Sequence, residues 1–291
     1  MMLGQSTITN RAGTIVETGN VNLEDCIQAA AELIADADAL VITAGAGMGI
    51  DSGLPDFRGE NGFWNAYPAL GKLGLEFTAI ANPRAFKAHP TLAWGFYGHR
   101  LNLYRDIAPH EGFYRLLELS AKMPYGARVF TSNVDGQFQK AGFRDEHVTE
   151  CHGSIHHLQC MEQCGQEPWS AEHFHPIVDA DTCTLQSALP RCPSCSALAR
   201  PNILMFGDWD YQGQRYAQQE SRLHAWLARA DRPVVIEIGA GTAIPSVRHF
   251  GESINCPLIR INPSEWEVGL KRDISLPMSA MDALIHITNP R

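Results

Sequence analysis

Five short stretches carry residue types that could do chemistry together. The first, VITAGAGMGIDSGLPDFRG at Val41–Gly59, sends an apolar run into a turn holding Gly45, Ala46 and Gly47, and soon afterwards sets Asp56, Phe57 and Arg58 in a row. Glycine lets a backbone approach a diphosphate closely, and free N–H groups at a helix start favour an anion. The turn lacks the G-x-G-x-x-G pattern, because its sixth position is Ile50. The second stretch, TSNVD, places Ser132, Asn133 and Asp135 after another apolar run. The third, CHGS, contains His152 followed by Gly153. An imidazole titrates near neutrality and can take a proton at working pH. The fourth is RPNILMFGD at Arg200–Asp208, and the fifth is a second glycine turn, GAGTAIP, with Gly239, Gly241 and Thr242. Singly, each has a plainer reading: a tight turn, a satisfied core histidine, a strand entry.

A separate constellation has the chemistry of a metal site. Cys160-x₃-Cys164 and Cys192-x₂-Cys195 read as two halves of a tetrahedral thiolate zinc site, the second pair in the knuckle-like CPSC. Cys183, His173 and His175 lie between the pairs and are possible substitutes. Four thiolates leave no coordination position for water, so the zinc would be structural.

Short apolar runs separated by helical patterns must position these residues. The runs are Ala39–Thr43, Arg128–Thr131, Asn202–Phe206, Val234–Ile238 and Leu258–Ile261. A helix capped by Asn22 extends through Ala37, and others cover Gly112–Lys122 and Arg215–Ala230. Strands alternating with helices argue for an α/β fold: a Rossmann-like parallel sheet with helices on both faces. Two intervals exceed simple crossovers, one aromatic-rich and helical, the other holding five of the eight cysteines. We therefore expect a discontinuous Rossmann-like domain over 22–59, 108–153 and 201–288. A smaller helical and zinc-binding domain covers 60–107 and 154–200, with the ligand cleft between them.

The bulk composition bounds the partners. The chain has 291 residues, 45% of them hydrophobic, and a formal net charge of −9. That balance argues against nucleic acid and fits a basic substrate such as a lysine-bearing protein tail. No apolar run reaches the ~18 residues of a membrane span, and no leader pattern starts the chain. Eight cysteines are few for a disulfide scaffold. The expectation is a cytoplasmic protein without membrane contact, most simply a monomer.

The order and spacing of the motifs resemble the sirtuin family of NAD-dependent protein-lysine deacylases, from about Leu23 to Ile287. The family's PDFRG, T-x-N-x-D, His-Gly, RPNxxxFGE and G-T-S motifs match the stretches above, with Asp208 for Glu and Ala243 for Ser. Gly49 stands where the family has a Ser, and Ser132 where it has a Gln. The resemblance implies NAD as co-substrate, held by the turn of Gly45, Ala46 and Gly47 and by Asp56, Phe57 and Arg58. It also assigns NAD contacts to Ser132, Asn133 and Asp135, and to Gly239, Gly241, Thr242 and Asn262. It makes His152 the general base, with Asn133 also catalytic, and a structural Zn²⁺ bound by Cys160, Cys164, Cys192 and Cys195.

The implied reaction deacylates an acyl-lysine protein or peptide, releasing nicotinamide and O-acyl-ADP-ribose. The peptide would add a strand near Gly207 and Asp208. A helix over Leu92–Tyr104 sets Tyr97 and Arg100 three apart, like the Tyr-x-x-Arg with which some members bind a carboxylate-ended acyl chain. ADP-ribosyl transfer, NAD hydrolysis and a noncatalytic NAD or ADP-ribose sensor are the competing readings.

Overall fold

The structure is a computed structural model. It describes residues 22–55 and 59–289, those from 59 to 62 by backbone alone, and the backbone of two short strands, Ile8–Thr9 and Ile15–Val16. Asp56, Phe57 and Arg58 lie outside the described residues.

The large core is built on a parallel sheet. Its strands are β1 (Ala39–Ala44), β2 (Ala127–Thr131), β3 (Val148–Glu150), β4 (Pro233–Ile238), β5 (Leu258–Ile261) and β6 (Ile274–Leu276). Among the described residues they lie in the order β6-β5-β4-β1-β2-β3. All six residues of β1 are buried, as a strand covered on both faces requires. Alternation divides them. Leu40, Ile42 and Ala44 face the layer of α1 (Leu23–Asp36), α3 (Glu111–Lys122) and α6 (Ala280–Thr288), where Ala30, Ile34, Leu116 and Leu284 pack. Ala39 and Val41 face α4 (Gln214–Leu227) and α5 (Ser246–Ser253), through Leu223, Trp226 and Phe250. Asn22 starts α1 by accepting from the Glu24 N–H at 3.3 Å, a cap of the kind that contributes about 1 kcal/mol.

From β1 the chain moves outward to β2 and β3, then returns to the other side of β1 with β4. The carboxyl ends of β1 and β4 therefore flank the point where strand order reverses, the ligand crevice of open α/β sheets.

A second hydrophobic cluster is aromatic. Phe63, Tyr67, Phe86, Trp94, Phe96 and Tyr97 pack with residues of the helix α2 (Pro90–Asp106) and of the 155–205 segment. Gly95 lets α2 approach the backbone at Cys183, because a Cβ there would fall 1.9 Å from the Cys183 carbonyl oxygen.

One strand differs from the sequence expectation. The run read as Asn202–Phe206 is a strand over Ala199–Ile203, and it pairs antiparallel with Gly153–Cys160 outside the parallel sheet. Its buried inventory explains the shift: Arg200 and Asn202 are buried, with the guanidinium and the Asn202 Nδ2 donating to distant partners, which apolar periodicity does not register. The apolar residues that follow form a loop instead, closed by an ion pair. Arg200 donates to the Asp208 carboxylate at 2.8 Å, with side chains 1% and 0% exposed.

Candidate active site

The crevice is assembled from backbone. The Gly45 N–H donates to the Ile238 carbonyl at 3.0 Å, and the Gly47 N–H donates to the Gly239 carbonyl at 3.0 Å. A Cβ on Gly45 would lie 2.7 Å from the Gly239 oxygen, and one on Gly47 2.6 Å from the Gly239 Cα. Gly239 has φ +59, the left-handed region where glycine is favoured. These glycines thus join two strand-end loops and leave a surface free of side chains. Ala46 is exposed at the start of the 3-10 helix Ala46–Ser52.

The TSNVD segment is tied to that turn. Thr131 Oγ1 donates to the Ala44 carbonyl at 2.8 Å, and Asn133 Nδ2 donates to the Gly45 carbonyl at 2.9 Å. Ser132 donates its backbone N–H to the Ala44 carbonyl. Asp135 is buried, and its carboxylate accepts from the Gln137 N–H at 2.9 Å. Burial pushes its pKa up to about 6, against the opposing pull of the Gln137 hydrogen bond and the Arg100 charge. A carboxyl poised there is the kind of perturbed group that clusters in functional clefts.

His152 sits between β3 and the strand Gly153–Cys160. Burial holds its pKa below the ordinary value of 6.5, and a hydrogen bond to the Ser132 backbone works in the other direction. The imidazole is therefore neutral at pH 7, with the Ser132 backbone of the TSNVD segment beside it. Gly153 has φ +78, and a Cβ there would fall 2.1 Å from the Asn202 carbonyl, so this position requires glycine. The Leu204 N–H donates to the His152 carbonyl at 2.9 Å, which fixes the start of the 203–208 loop beside the imidazole.

The second glycine turn is held by the predicted Asn262 and by two residues that the sequence reading missed, Glu265 and Arg248. Glu265 accepts from the Thr242 N–H and hydroxyl, both at 2.9 Å. Arg248 donates to the Ala240 carbonyl at 3.1 and 3.0 Å and to the Glu265 carbonyl. Asn262 donates to the same Ala240 carbonyl at 3.0 Å while its Oδ1 accepts from the Glu265 N–H at 3.0 Å. The Asn262-x-x-Glu265 spacing, an Asx turn presenting an acid, was the available signal. Gly241 lies within this clamp, with the Glu265 carboxylate 3.7 Å from where its Cβ would be.

Tyr97 and Arg100 share α2. Tyr97 is buried against Phe86 and Phe96, and burial pushes its phenol up to about 12. Arg100 is 8% exposed; its guanidinium lies 5.8 Å from the Tyr97 ring centre and donates to the Tyr104 hydroxyl at 3.0 and 2.6 Å.

The four cysteines converge. The sulfurs of Cys160, Cys164, Cys192 and Cys195 all lie within 4.8 Å of one another, with Cys160–Cys195 at 3.5 Å and Cys164–Cys192 at 3.6 Å. Tetrahedral zinc with bonds of about 2.3 Å sets its sulfurs about 3.8 Å apart, so the donor set fits structural zinc. Cys183 is instead buried in the aromatic cluster, and His173 is an exposed neighbour of Glu172.

A dinucleotide-type crevice with a neutral histidine at its edge, together with a four-cysteine cluster fit for structural zinc, defines the class of protein. The Sir2 family model matches residues 45–244, and the chain belongs to this family, that of the sirtuins. A relative from Aquifex aeolicus, named NAD-dependent protein deacylase, is 32% identical over 84% of this chain and 92% of its own. One of the same name from Thermococcus sibiricus is 29% identical over 62% of this chain and 65% of its own. The chain spans slightly less than two thirds of the length of several curated relatives it matches. Among solved structures, a Sir2 homologue in complex with NAD superposes with a TM-score of 0.64 at 25% identity, over 89% of this chain and 91% of that one. No helix among the described residues is long and apolar enough to cross a membrane.

Proposed function

We propose that the chain is an NAD-dependent protein-lysine deacylase. The observation that carries this reading is the neutral, half-buried His152, set against the Ser132 backbone at the edge of the crevice made by Gly45, Gly47 and Gly239. The relatives named NAD-dependent protein deacylase support it.

Bound NAD would supply a ribose carbon bearing nicotinamide as leaving group. The protein's part follows from its own groups. The glycine surface accepts a diphosphate without side-chain hindrance. Glu265 and Asn262 keep the second turn open, and Asn133 holds the first turn in register with the base. Asp135 offers a buried carboxyl to the nicotinamide amide. His152 Nδ1 or Nε2, whichever is left free by the Ser132 hydrogen bond, takes a proton from a ribose hydroxyl. Asp56, Phe57 and Arg58 would complete the nicotinamide side of the pocket. The division into a discontinuous 22–59, 108–153 and 201–288 unit and a smaller 60–107 and 154–200 unit belongs to the same reading, with the peptide entering between them. Arg100, ringed by phenols, is the cation that a carboxylate-ended acyl chain would meet.

The test is mass spectrometry of the purified protein with NAD and matched acetyl- and succinyl-lysine peptides. Acyl loss equal to nicotinamide and O-acyl-ADP-ribose formed is the expected result, with the succinyl peptide faster. Equal or faster acetyl turnover removes the role given to Arg100. Nicotinamide released with both peptides intact replaces deacylation by NAD hydrolysis or ADP-ribosyl transfer.

A further inference from the structure

Trp209 is 96% exposed, an unusual cost for a large aromatic ring that a monomer could otherwise bury. Its position is fixed. The preceding loop is closed by the buried Arg200–Asp208 ion pair and by the bond from the Leu204 N–H to the His152 carbonyl. Trp209 lies five positions after Leu204, so the indole's backbone lies within about 17 Å of the residue bonded to the candidate base. Leu204 and Phe206 on the same loop are also more than a third exposed.

The indole borders an open cleft of about 260 Å³ lined by Gln163, Gln166, Trp209, Asp210, Tyr211 and Gln212. This wall is polar and acidic rather than apolar. Asp210 accepts from Gln163 Nε2 at 2.7 Å, which directs its carboxylate. Its other oxygen has Lys87 at 4.0 Å, the outer limit of an ion pair, with side chains 62% and 44% exposed. A contact of that kind contributes little and is readily exchanged for a better cation. An aromatic face beside an oriented carboxylate and carboxamides is suited to a cationic side chain, through cation–π attraction and charge-assisted hydrogen bonds. The chain's net charge of −9 attracts the same class of partner.

We propose that Trp209 and Asp210 form a subsite for a basic residue, arginine or lysine, flanking the acyl-lysine of the substrate. The proposal rests on the deacylase reading and narrows its substrate class. A peptide extended across the loop brings a residue two to four positions from the acyl-lysine about 7–14 Å from it, within reach of the cleft.

The test measures kcat and KM for acyl-lysine peptides carrying arginine at successive flanking positions, each paired with its uncharged citrulline counterpart. At one flank, arginine should lower KM by about fivefold to tenfold, the range of a partly desolvated cation–π contact. Trp209→Ala and Asp210→Asn should each bring that ratio close to one. Equal KM for arginine and citrulline at every flank, with the peptides turned over, overturns the subsite and leaves the deacylase standing. So does a Trp209→Ala protein that discriminates as before; if that protein also sediments as a smaller species, the ring belongs to self-association. Failure to turn over any peptide removes the deacylase reading and the subsite with it.

Discussion

Gly47 and Gly239 meet backbone to backbone where the carboxyl ends of β1 and β4 diverge. The Gly47 N–H donates to the Gly239 carbonyl at 3.0 Å, and a Cβ on Gly239 would fall 2.4 Å from Gly47. The glycines of the phosphate turn therefore have two tasks. They let two loops touch, and in the function proposed above they offer a bare surface to a diphosphate.

Gly47→Ala must push those loops apart, because its obstacle is backbone. We expect about 1–3 kcal/mol of lost stability, as for other overpacked sites, and at least tenfold weaker NAD binding. Gly53→Ala is the control. Gly53 has φ +85 with no atom within 4 Å of a new Cβ, so it pays backbone strain of about 1 kcal/mol and leaves NAD binding intact. Thermal unfolding with and without NAD reads both effects.

The pH dependence of turnover follows from His152. Its folded pKa lies below 6.5 through burial, so the base is neutral at pH 7 and is lost only as pH falls below that value. The acid limb of kcat/KM should therefore lie under pH 6.5, and His152→Asn should abolish deacylation while NAD still raises the melting temperature. An acid limb above pH 7 would contradict this placement of the base.

His157 makes a stability prediction of the same sign as a salt-bridged carboxylate, because its folded pKa is also depressed, but here through burial of a neutral imidazole. Burial and the Arg215 charge lower its pKa to about 4 from 6.5. The unfolded chain takes up a proton below pH 6.5 and the folded chain only near pH 4, so stability present above pH 6.5 declines across that window. One such group contributes at most about 1.4 kcal/mol per pH unit. His157→Gln should flatten the decline in urea denaturation measured from pH 7 to pH 4.

Asp208 stands where the family has Glu, yet it holds a buried pair. Its carboxylate accepts from Arg200 at 2.8 Å, from the Asp210 N–H at 3.2 Å and from the Met205 N–H at 3.3 Å. Asp208→Ala leaves Arg200 buried and uncompensated, a loss of about 3–5 kcal/mol in denaturant unfolding. Asp208→Glu keeps the charge and should lose less.

The zinc ligand set can be tested by metal content. Cys192→Ser should lose zinc and melt at lower temperature, as should protein stripped by a chelator, with zinc restoring the latter. Cys183→Ser should retain its zinc, because Cys183 packs in the aromatic cluster away from the four sulfurs. Zinc loss from that variant would redraw the ligand set.

Much was legible in the sequence because its signals are local. Apolar runs gave β1, β2, β4 and β5 to within a residue at each end, since a strand covered on both faces has few polar residues to confuse the pattern. The strand over Ala199–Ile203 was misread because its buried Arg200 and Asn202 take partners eight and forty-three residues away. Glu265 was missed for a similar reason: its carboxylate acts on Thr242 across a strand connection.

The sequence by itself determined the motif residues, their chain order and the class of fold, because backbone propensities and hydrophobic periodicity are properties of neighbouring residues. Tertiary structure alone decided that Gly47 touches Gly239 and that four cysteines, rather than Cys183, close one site. It also decided that Trp209 stands in solvent beside Asp210. Those are distances between segments far apart in the chain, and they are set by how the two cores pack.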